Sequence, residues 1–105
     1  MVSVLQIASY ICDRYLREYG ERIDEMKLHK LLYFTQRECI VQTVGPMFPE
    51  DFHAFKYGPV RPSIRALYKQ NALNQKPDAK VLTLYKSIFD EISTTLGLWI
   101  IFTTV

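Results

Sequence analysis

HAFKYGPVRPS, residues 53–63, is where this chain changes character. Aromatic rings, Lys56, Arg61 and two prolines crowd around one glycine, with no acid among them. Phe52, Ala54 and Lys56 alternate with His53, Phe55 and Tyr57, the period of two that predicts a short strand with an aromatic-rich face. Gly58-Pro59 should end any pairing, because proline has no amide donor. Pro62 then suits the first turn of a helix. The stretch reads as a strand-to-helix corner, and its neighbours decide whether it is also a site.

Upstream, Val4, Ala8, Ile11, Tyr15 and Tyr19 recur at helical spacing, widened by Leu5, Cys12 and Leu16, which predicts a helix from about Val2 to Tyr19. Gly20 can close it in the left-handed conformation. A second helix should start at Asp24, a good cap, with Leu28, Leu31, Leu32, Thr35 and Cys39 as its inner face. Thr43-Val44-Gly45-Pro46 stops it. Downstream of the corner, Ile64, Leu67 and Tyr68 mark a short third helix that fades at Asn71. Residues 71–77 read as a polar connection, and Asp78 as the cap of a helix from Ala79 to about Leu96. The fold class this implies is mainly α with a small β element (α+β): about four helices, with a short strand or hairpin between the second and third.

At 105 residues, 49% hydrophobic and 23% charged, the composition is that of one globular domain. The formal net charge of +2 is too small to announce a nucleic-acid or membrane partner. Its distribution says more: from Phe52 to Pro77 the charges are Lys56, Arg61, Arg65, Lys69 and Lys76, all positive. Cys12 and Cys39 stand far apart, without a cysteine or histidine at ligand spacing, so they read as small buried hydrophobes of a reducing, cytoplasmic setting. The first residues run early into charge and read as helix rather than leader. The final LWIIFTTV, residues 98–105, is too short to span a bilayer.

Candidate chemistry is sparse. His29 and His53 are the two histidines. His29 lies off the apolar stripe and reads as a surface or boundary residue; His53 could act as the base of a hydrolase only with a partner from elsewhere in the fold. No nucleophile elbow or phosphate loop is present, and no cofactor or metal is expected. Arg61, Arg65 and Lys69 recur along one helical side, with Tyr57 and Tyr68 as stacking faces, which allows a nucleic-acid-binding regulator as an alternative function.

Two segments together resemble a known family. MKLHKLLYFTQ (26–36) followed by FHAFKYGPVRPSIRALY (52–68) is similar to the Panacea domain of SocA-like antitoxins. Lys27, Leu28, Lys30, Leu31, Leu32 and Tyr33 match its helix motif, and Phe52, Ala54, Gly58, Pro59 and Val60 its strand motif; Phe55 stands where the family has tryptophan, and His29 where it often has glutamine. The resemblance covers about residues 4–95. It implies a helical domain with a small β element, not an enzyme, that binds and neutralises a toxin from an adjacent gene, in some members by delivering it to a protease.

Residues 1–97 would form this domain and 98–105 an apolar tail. Family members continue with a further helical region, so the chain reads as a C-terminally truncated or frame-altered member. An uncovered helical face together with Leu98 to Phe102 would then favour a homodimer. The expected partner surface is Tyr57, Arg61, Arg65, Tyr68 and Lys69.

Overall fold

The computed structural model describes residues 2–49, 53–55, 58–76 and 78–92. Helix α1 runs Val4–Tyr19 and ends on Gly20, whose φ of 73° is the left-handed conformation glycine adopts without strain. Helix α2 runs Glu25–Thr43. Asp24 caps it, its carboxylate accepting from the Lys27 amide at 2.9 Å. Strands β1 (His53–Phe55) and β2 (Gly58–Val60) follow, then α3 (Pro62–Lys69) and α4 (Ala79–Leu84). Pro62 sits in the first turn of α3, where its missing N–H would have no helical acceptor anyway.

The core forms where α1 meets α2. Ile7, Ala8, Ile11 and Tyr15 pack with Leu28, Leu31, Leu32 and Cys39, and Met47, Phe48, Ile64, Ile88, Phe89 and Ile92 complete the cluster. Helix α2 is the central element: α1 lies against one side and β2 against another. Burial therefore extends beyond one stripe, taking in His29, Thr35 and Gln36. Helix α1 shows the opposite effect. Leu16 and Tyr19, expected inside, are 51% and 40% exposed, because nothing among the described residues covers that edge of its last turn.

The expected α+β class is corrected to a helical fold. The β1–β2 pairing has three rungs, His53–Val60, Ala54–Pro59 and Phe55–Gly58, in one antiparallel two-stranded ladder. A pair that small makes no layer and is not stable alone; it exists because β2 leans on α2. Helices supply the layers and most of the core. The expectation that Gly58-Pro59 ends pairing is also overturned, since Pro59 occupies the middle rung. Both strands of such a ladder are edges, where proline's missing donor need not cost a ladder bond.

The single helix expected over residues 79–96 is interrupted. Tyr85, at φ −106° and ψ 20°, ends α4, and helix resumes over residues 86–92. Thr83 contributes, its hydroxyl donating back to the Ala79 carbonyl at 3.0 Å, a bond that loosens and bends helices. The resumed segment seats Ile88, Phe89 and Ile92 in the core, with the Phe89 ring 4.7 Å from that of Tyr10. The tail at 98–105, and the dimer contact expected of Leu98–Phe102, lie outside the described residues.

Candidate partner-binding site

The basic side expected on α3 is not a single surface. Arg61 occupies the N-cap position of α3, makes no side-chain cap bond, and is buried, 5% exposed. Its Nη1 donates to the Pro49 carbonyl, and its guanidinium lies 5.4 Å from the centre of the Phe48 ring. The same loop is held from α2 by Gln36, whose Oε1 accepts from the Met47 amide at 2.9 Å. Val2 adds a backbone bond to the Met47 carbonyl at 2.7 Å. Met47 and Phe48 enter the core as irregular chain, and the polar backbone of this loop needs partners. Arg61 supplies one. It is a strut for that loop and not part of a docking face, and the stripe of three bases required by a nucleic-acid regulator loses its first member.

Arg65, half-exposed, turns its Nε towards Glu25 Oε1 at 3.5 Å. The same oxygen lies 3.8 Å from His29 Nε2. His29, expected at the surface or boundary, is 2% exposed, and neither of its ring nitrogens has a hydrogen-bond partner among the described residues. Burial pushes its pKa below the ordinary value, against the pull of Glu25. The sequence hid this because His29 lies seven residues before Gln36, on a side of α2 that is covered only after the loop and α3 fold back. Lys69 is exposed. Tyr57 and Phe52 lie outside the described residues, as does the side chain of His53.

Tyr68 leads to a different feature. Its hydroxyl donates to the Ile23 carbonyl at 2.8 Å, and the Arg22 guanidinium lies 3.9 Å above its ring. Arg22 Nη2 also donates to the Tyr68 carbonyl at 2.5 Å. Beyond this pair opens a cleft of about 410 Å³ between α1 and the segment after α3. One wall is Ser9, Cys12, Asp13 and Leu16; the other is Asn71, Leu73, Asn74, Gln75 and Lys76.

The second wall is held in place by bonds from its backbone amides. Asn71, at φ 53°, takes the left-handed conformation that asparagine tolerates and turns the chain out of α3. The Ala72 amide donates to the Leu67 carbonyl at 2.9 Å, and the Gln75 amide to Ser9 Oγ at 3.2 Å. Burial pushes the Cys12 thiol up to about 11, with Arg22 acting against it, so this cysteine stays protonated. Of the cleft residues, the sequence marks Tyr68 alone as a partner-binding candidate; Cys12 and Leu16 read as part of a helix stripe, and residues 71–77 as a polar connection carrying Lys76.

The motif residues are mainly architectural. Leu28, Leu31, Leu32 and Val60 are buried, Lys27 lies 3.5 Å from Asp24, and Tyr33 is 37% exposed beside Phe34. Ala54, Phe55, Gly58 and Pro59 occupy rungs of the ladder. Among the described residues no helix is long and apolar enough to cross a membrane, and no three His, Cys, Asp or Glu side chains cluster as a metal site.

Comparison with curated proteins and with solved structures found no match for the chain. Comparison with protein families matches residues 28–94 to the family described as "Antitoxin SocA-like, Panacea domain". That span runs from α2 through the hairpin and α3 beyond residue 92, more than half of the 105 residues, and takes in Gln36, Arg61 and the second wall of the cleft. The chain belongs to the SocA-like antitoxin, Panacea domain family.

Proposed function

We propose that this protein is the antitoxin of a toxin–antitoxin pair, and that it neutralises a toxin from an adjacent gene by binding it inside the cell. The family match over residues 28–94 is the observation that carries this reading. The local chemistry agrees with it. A thiol pushed up to about 11 and a histidine buried without a hydrogen-bonding partner among the described residues are poorly suited to nucleophilic or acid–base work near neutral pH. Recognition needs a surface of fixed shape, which a helical frame with anchored loops supplies.

Binding is the first step whether the toxin is blocked directly or delivered to a protease, and one experiment separates the two. The toxin is placed under an inducible promoter, this protein is co-expressed, and growth and toxin level are followed together. Growth restored at unchanged toxin level indicates direct neutralisation; growth restored as the toxin disappears indicates an adaptor. Growth arrest with both proteins present overturns the proposal.

A further inference from the structure

We propose that the cleft between α1 and residues 71–76 is a docking site for an extended, acidic peptide segment bearing an apolar side chain. The identity of the partner as a toxin rests on the antitoxin reading; the chemistry of the segment rests on the cleft itself.

Size comes first. About 410 Å³ is within the usual range for a ligand site and holds a few residues of extended chain. Leu16, Leu73 and Cys12 give the cleft an apolar lining, and the Tyr68 ring adds aromatic surface. Leu16 is already 51% exposed there, so covering it removes apolar area from water.

Charge sets the sign of the occupant. Arg22 and Lys76 both line the cleft, and neither has a carboxylate within ion-pair distance among the described residues. The one acid in the lining, Asp13, is matched by Arg17 at 2.9 Å. Among the described residues two cations are therefore left without a countercharge. Arg22 is also pre-positioned by the Tyr68 ring and carbonyl, so it loses little freedom on meeting a carboxylate.

The remaining groups choose peptide over nucleic acid. The side-chain amides of Asn71, Asn74 and Gln75 each offer both a donor and an acceptor, the pair a peptide unit requires. A phosphate backbone needs a longer run of cations than Arg22 and Lys76 provide.

The test uses the full chain on an array of octapeptides in which Leu or Phe is flanked by Glu, by Lys or by Ser, with eight-nucleotide oligo(dT) alongside. Glu-flanked peptides should be retained best. The exposed variant Lys76→Glu, with its melting temperature unchanged, should weaken that retention about tenfold, and bound peptide should shift the amide resonances of Ser9, Asn74 and Gln75. Retention independent of charge, preference for Lys-flanked peptides or for oligo(dT), or shifts confined to Arg65 and Lys69, would each overturn the proposal. Growth rescue in the toxin assay with no cleft shifts removes the cleft and keeps the antitoxin reading. Cleft shifts without rescue do the reverse.

Discussion

Gln36 holds the backbone of Phe48 from both directions: its Nε2 donates to the Phe48 carbonyl at 2.5 Å while its Oε1 accepts from the Phe48 amide at 3.2 Å. One buried side chain thus satisfies a loop that enters the core without secondary structure of its own. Gln36→Leu keeps similar volume but strands those backbone groups, at a cost of about 3 kcal/mol. Urea unfolding should show the midpoint falling with an unchanged slope. An unchanged midpoint would mean that water replaces the amide.

Arg61 braces the same loop from the opposite side, so its substitution should act on stability. Arg61→Lys shortens the reach to the Pro49 carbonyl and loses the flat group over Phe48, and should cost about 1–3 kcal/mol. Lys69→Glu, on the exposed end of α3, should leave stability within about 0.5 kcal/mol. Comparing the two by thermal melting checks the assignment. Equal melting temperatures would return Arg61 to the surface.

His29 makes stability depend on pH. Its folded pKa lies below the ordinary 6.5, first because of burial, with Arg65 adding to the shift and Glu25 opposing it. As pH falls through 6.5 the unfolded chain takes up a proton that the folded chain resists. The contribution is therefore fully present above 6.5 and is lost on acidification, by at most about 1.4 kcal/mol per pH unit. His29→Leu should be at least as stable at pH 7, since the ring nitrogens have no hydrogen-bond partners among the described residues, and should lose less stability than the parent between pH 7 and 5. Parallel pH dependence in the two proteins would refute this.

Val44 follows the last turn of α2 at φ 62°, a left-handed conformation that β-branched residues resist, while its side chain is 91% exposed. Val44→Gly removes the clash and gives up little packing. It should stabilise the protein by about 1 kcal/mol, read as a higher urea midpoint. A lower midpoint would show that the valine side chain has a contact that offsets the strain.

What the sequence made legible follows from how local each signal is. Asp24, Gly20, Pro62 and Asp78 mark helix ends through bonds made within a few residues, and the helix starts and stops they predict are the ones found, apart from the break at Tyr85. The fates of Gln36, Arg61 and His29 depend on segments 11 to 36 residues away that cover a second side of α2, and a single apolar stripe does not reveal them. The α+β expectation failed for a related reason: alternation around Ala54 signals pairing, but not that the pairing stops at three rungs. The cleft was hidden because its far wall is irregular chain, fixed by one left-handed asparagine and one bond from the Gln75 amide to the Ser9 hydroxyl.

The central claim, neutralisation by binding, is tested most directly by mixing this protein and its adjacent-gene toxin in purified form and measuring mass by light scattering behind a sizing column. The account predicts a single species with the combined mass of both chains, formed at micromolar concentrations. Two separate species at those concentrations, from a preparation that still restores growth, would contradict it.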